Sequence, residues 1–213
     1  MNDVAAPRIS RGRAALTVMA ALAVAGVLTG ALWSWLAPPI HGVVALTRGG
    51  DRVRAYLGNE GDHFFVAAFL LVGMLCAMAV VAAVLVWQWR AHRGPVTLAA
   101  LAAGCMLAAG TAAGVGALLV HLRYGTIDVA AAPVTPEHRV HYVTEAPPVF
   151  FGQTPVLAAL TILFPAAVAA LVYALTAVST SRDDLGAWPP VEVPAFVPPV
   201  TAESVPPSGP SSP

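Results

Sequence analysis

The sequence predicts an all-α membrane protein. It reads as a four-helix transmembrane bundle with a small extracytoplasmic β-hairpin and loop cap, followed by a disordered, Pro-rich tail. Three observations lead there. Hydrophobic residues make up 58% of the chain and charged residues only 10%, against roughly a quarter charged in a typical soluble domain. Four long runs contain no Asp, Glu, Lys or Arg, and each reaches the roughly 20 apolar residues needed to cross a bilayer as a helix. Nine of the nineteen prolines fall after residue 188, so the composition changes once the last run has ended.

The four spans cover about residues 14–36, 64–89, 95–122 and 155–178. Hydrocarbon offers the backbone no hydrogen-bond partner, so each span must be helical. The first run follows "RISRGR" and could pass for a secretion signal. It is longer than a signal core, and Trp35 in "LWSWLAPP" breaks the small-residue cleavage pattern, so it reads as a retained anchor. Thr154 with Pro155, and Gly94 with Pro95, mark the starts of spans four and three. Trp33, Trp35, Trp87 and Trp89 sit near span ends, where aromatic belts form. The link "RAHRG" is too short for anything but an antiparallel connection between spans two and three.

Arginine placement sets the orientation. Lys is absent; Arg8, Arg11, Arg13, Arg90, Arg93 and Arg182 fall on one side, and Arg48, Arg52, Arg54, Arg123 and Arg139 on the other. The first group is more concentrated at helix ends and less neutralised by acids, which places both termini in the cytoplasm of a multi-pass plasma-membrane protein. The domain plan is then a cytoplasmic tail at 1–13, a transmembrane domain at 14–178 with outer loops at 37–63 and 123–154, and a tail at 179–213. The tail's Pro, Ser and Val composition cannot build a core.

The first outer loop contains "VVALTRGGDRVRAY", in which 43–47 and 52–56 flank Gly49 and Gly50. A Gly-Gly pair supplies the positive φ that a tight hairpin wants. "RVHYVT" in the second loop, rich in β-branched and aromatic residues, can add a strand. A two-stranded hairpin is marginal alone and calls for such support.

Zero net charge gives no reason to expect a nucleic-acid partner. Cys76 and Cys105 lie in apolar runs and read as packing residues, with no disulfide expected. Intramembrane ionisable residues mark ion and proton paths, but only His121 comes close, at the outer end of span three. Small residues recur every four positions at Gly104, Ala108, Ala112 and Gly116, with further pairs at Gly110 and Gly114 and at Gly26 and Gly30. Such stripes let membrane helices approach closely, either within this bundle or against another membrane protein. Pro165 in "ILFPAA" removes a backbone donor and should kink span four.

Chemistry has one conspicuous candidate location. "NEGDHFF" puts Glu60, Asp62 and His63 at the border of span two. Asp62 is placed to cap the helix, and Glu60 to reach Arg123, Arg52 or Arg54 and tie the cap to the bundle. A ligand role for Glu60, Asp62, His63 and Arg123 is the alternative. His41, His138 and His141, with Glu137 and Glu145, extend the set of nitrogen and oxygen donors a metal would want. On a strand, however, His138 and His141 point to opposite faces. No metal and no cofactor is therefore assigned. The sequence holds no phosphate-binding Gly-rich loop and no nucleophile elbow.

The Trp-rich end of span one ("LWSWLAPP"), the acidic pair before span two ("EGDHFF"), the link "RAHRGP" and the end of span three ("HLRYG") together resemble an actinobacterial family of four-span integral membrane proteins of unknown function. The resemblance covers about 14–178. It implies a protein of the actinobacterial envelope and carries no activity with it. The functional expectation is a non-catalytic accessory or scaffold subunit of an envelope or respiratory membrane complex, with the lipid bilayer, other membrane proteins or a second copy as partners. The alternatives are a transporter or permease component for a small or lipidic substrate, and an enzyme acting at the outer face.

Overall fold

A computed structural model of the chain describes residues 9–152, 154–181 and 185. The expectation for the Pro-rich tail falls almost wholly outside these residues, as do Arg8 and Arg182. Four helices form: α1 (Arg11–Leu36), α2 (Asp62–Gln88), α3 (Pro95–Tyr124) and α4 (Pro155–Val178). All four are long and apolar enough to cross a membrane. Three strands, β1 (Ile40–Leu46), β2 (Arg52–Tyr56) and β3 (Val140–Glu145), form one antiparallel sheet in the order β2-β1-β3. The hairpin turns through Gly50 at φ 89°. The third strand does come from "RVHYVT", and it pairs with β1, which stitches the two loops together.

The helix ends follow local chemistry. Ser10 caps α1 by accepting from the Arg13 amide at 3.4 Å. Pro95 and Pro155 occupy first-turn positions of α3 and α4, where the missing N–H costs nothing. Thr154 holds the cap position of α4 with extended backbone, but its side chain makes no capping bond. Gly125, at φ 69°, ends α3 by donating its N–H to the His121 carbonyl at 2.8 Å. Pro165 is buried within α4, which is one helix from Pro155 to Val178.

The tightest seam joins α1 to α3. Gly26 lies on the backbone of Ala108, Gly30 on that of Ala112, and Gly104 against Leu22. Partners rise together in residue number, so α1 and α3 run parallel. The stripe at Gly104, Ala108, Ala112 and Gly116 is therefore an internal seam, while Gly110 and Gly114 face outward with open space around them. A Cβ on Gly26 or Gly30 would collide with the α3 backbone. Helices α2 and α3, joined by the short link, touch each other little; α2 packs mainly on α4, and α3 on α1 and then on α4.

Trp33 departs from the aromatic-belt expectation. Its ring is fully buried against Gly116, and its Nε1–H donates to the Ala67 carbonyl of α2 at 2.7 Å. Trp35, by contrast, is 73% exposed. At the opposite end, Trp87 meets Tyr173 edge to face at 5.1 Å, and the Arg93 guanidinium lies 4.3 Å from the Trp87 ring. Arg93 also donates to the carbonyls of Trp87 and Leu185, and the Tyr173 hydroxyl accepts from the Gly94 amide. These bonds lock the α2–α3 link onto α4.

Candidate functional site

The chain leaves α1 at Ala37, passes Pro38 and Pro39, and enters β1. It returns from β2 through turns closed by Glu60 N–H to the Leu57 carbonyl, Asp62 to Asn59 and His63 to Glu60. This path brings the start of β1 beside the start of α2. Glu60 sits at the contact. Its Oε2 accepts from the His41 backbone N–H at 2.8 Å and lies 3.1 Å from His41 Nδ1 and 3.0 Å from His63 Nδ1. His63 Nδ1 is also 2.9 Å from the Pro39 carbonyl oxygen.

The tautomers follow from that geometry. Both ring nitrogens face acceptors alone, so each Nδ1 carries its hydrogen and each Nε2 is left for other contacts. One carboxylate oxygen thus gathers β1 and α2. The Glu60 carboxyl is held below its ordinary range, chiefly by the His41 backbone N–H. Partial desolvation acts against this; the His41 ring bond and the nearby His63 and His41 add to the lowering.

Two expectations are corrected here. Glu60 engages His41 and His63, not Arg123, Arg52 or Arg54. Arg54 instead pairs with Glu145 across the sheet, from β2 to β3. Arg123 lies over the ring of Tyr124. Asp62 is not the cap of α2. The cap position is Gly61, which has helical backbone (φ −58°, ψ −27°) and no side-chain capping bond. A capping side chain needs extended backbone to turn its oxygen toward the free amides; here the preceding turns deliver the chain already coiled. Asp62 is the first helical residue, where its charge complements the helix dipole.

The other histidines disperse. His138 precedes β3, and His141 lies within it on the face that carries Glu145 and Val143. Among the described residues, no three His, Cys, Asp or Glu side chains converge with metal-binding geometry. His41 joins the junction only because the β1 path brings it there, which its distance of nineteen residues from Glu60 concealed in the sequence.

Above the junction the sheet has two unlike faces. Ile40, Gly42 and Val44 point toward the bundle and are buried, and Tyr56 meets Phe64 of α2 edge to face at 5.2 Å. On the other face Val43 stands between Ala55 and Tyr142, and Ala45 between Val53 and Val140. Tyr142 is 71% exposed, Val140 50% and Val53 46%. This is an apolar outward face on an otherwise polar cap.

Comparison with known proteins gives the family. The family described as "Protein of unknown function (DUF2567)" matches residues 22–187. An uncharacterized protein of Mycobacterium tuberculosis (strain ATCC 25618 / H37Rv) is 55% identical over 175 residues, covering 82% of this chain and 91% of the relative. An uncharacterized protein of Mycobacterium leprae (strain TN) is 52% identical over 186 residues, covering 87% and 93%. No solved structure matches. With a match running from within α1 to past the end of α4, and with mycobacterial relatives aligned over most of their length, the chain belongs to the DUF2567 family.

Proposed function

We propose that this protein is a non-catalytic accessory subunit of an envelope membrane complex, and that it offers its sheet cap to the extracytoplasmic part of another membrane protein. The observation that carries the reading is the outward sheet face of Val43, Ala45, Val53, Ala55, Val140 and Tyr142. Exposed aromatic and aliphatic side chains on a rigid platform are the usual anchors of a protein contact. Two supports hold that platform: the pairing of β1 with β3 and the Glu60 junction with α2. The β2 edge carries Arg52 and Arg54, which discourages indiscriminate strand pairing and leaves the face as the contact surface.

A photo-crosslinking amino acid at position 142, introduced in the native membrane, tests this. The expected result is a discrete adduct with one or a few membrane proteins, lost when Val53 and Val140 are changed to Asp. Recovery of the bare protein alone, with the crosslinker active and the chain inserted, would overturn the proposal.

A further inference from the structure

We infer that the seam between α2 and α4 holds one acyl chain of a phospholipid from the leaflet that meets the cap. A cavity of about 460 Å³ lies there, lined by Val72 of α2, Phe151 of the second loop, and Leu157, Leu160, Leu163 and Phe164 of α4. The lining is hydrocarbon and aromatic. Thr161 also borders it, but its hydroxyl is already donated to the Leu157 carbonyl at 2.9 Å. The slot therefore offers an occupant no free donor, and an apolar chain fits its hydrocarbon lining best.

Position and length select the chain. The lining on α4 runs from Leu157 to Ala167, which at about 1.5 Å per residue is about 15 Å. That is about half of a hydrocarbon core roughly 30 Å thick, so the slot serves one leaflet. Leu160, Leu163 and Phe164 remain exposed: the slot opens sideways and is continuous with the surface that the bilayer covers. At its outer end Phe151 is shared with a second cavity of about 450 Å³, bordered by Gly61, Phe64, Phe65 and Pro148–Gly152. This leads the chain's polar end out to the cap. Gly152 brings the loop down onto the tip of Leu157: a Cβ there would lie 2.8 Å from Leu157 Cδ1. An unfilled slot would leave its lining without dispersion partners. A neighbouring lipid tail supplies them.

The test uses the full chain in phosphatidylglycerol and phosphatidylethanolamine vesicles doped with a phospholipid bearing a diazirine on one acyl chain. Adduct positions are mapped by peptide mass spectrometry. Adducts should concentrate on Val72, Leu160 and Phe164 relative to Leu16, Val24 and Leu28, which are exposed on α1. Filling the slot from either wall, by Leu160→Trp or Val72→Trp, should abolish the slot adducts and leave those on α1. Equal labelling of slot and α1 in the wild type would reduce the contact to ordinary surrounding lipid and overturn the inference. So would copy-to-copy crosslinks at the slot residues, which would make a second protomer the occupant. The slot and the sheet face are separate surfaces, so failure of one proposal leaves the other standing.

Discussion

The two long seams of this bundle solve the same problem in opposite ways. Between α1 and α3, Gly26 and Gly30 let backbone meet backbone, Gly104 receives the Leu22 side chain and Gly116 the Trp33 ring, with no space for a Cβ. Between α2 and α4, Val72 and the Leu and Phe side chains of α4 border an apolar slot. Helices in lipid gain nothing from hiding apolar surface, so close contact must come from shape. Small residues supply shape; large ones leave gaps for lipid to fill. The difference makes the parallel pair α1 and α3 the close-packed seam, and leaves the α2–α4 seam as the one that the proposed lipid chain would enter.

Replacing Gly26 with Leu should break this contrast most severely. The side chain would enter the α3 backbone, and overpacking of this kind costs about 3 kcal/mol or more. Gly110→Leu, on the outward face of α3, should stay within about 0.5 kcal/mol. Denaturant midpoints of the reconstituted variants measure both; similar losses would show that the seam assignment is mistaken. Trp33→Phe comes next. It removes the Nε1–H bond to Ala67 and part of a buried ring, with an expected loss of about 1–2 kcal/mol.

Two smaller effects concern the cap. Glu60 carries a lowered pKa, so its contribution is complete above the ordinary carboxyl range and is lost as pH falls through the lowered folded value. Hydrogen exchange of the β1 amides should accelerate on that acid side in the wild type. In Glu60→Gln it should be faster already at neutral pH and lack the carboxyl transition. An unchanged exchange profile would remove Glu60 from the junction. Asp62→Asn should matter least, by about 0.5 kcal/mol, since only a first-turn charge is lost; a large functional defect in a folded, inserted variant would instead identify a site that needs the carboxylate.

Legibility in the sequence tracked the range of the interactions. Spans, helix-start prolines and the hairpin at Gly49 and Gly50 depend on neighbours in the chain, and all were readable. The pairing of "RVHYVT" was readable as a strand but not as a partner of β1 in particular. Trp33 looked interfacial because its position counts from a helix end; its burial depends on Gly116 of a different helix. Glu60 looked destined for arginine because charge alone suggested it. The actual partners come from the fold, which carries His41 to Glu60 and leaves Arg54 to Glu145.

The proposed function requires the sheet and its Glu60 junction to lie on the outer side of the membrane. Single cysteines at positions 142 and 181, in a chain with Cys76 and Cys105 changed to Ala, test it with a membrane-impermeant maleimide on intact spheroplasts. Labelling of position 142 before lysis, and of 181 only after it, is the predicted result. Labelling of 181 on intact spheroplasts with 142 protected would invert the topology and rule out an outer-face contact through the sheet.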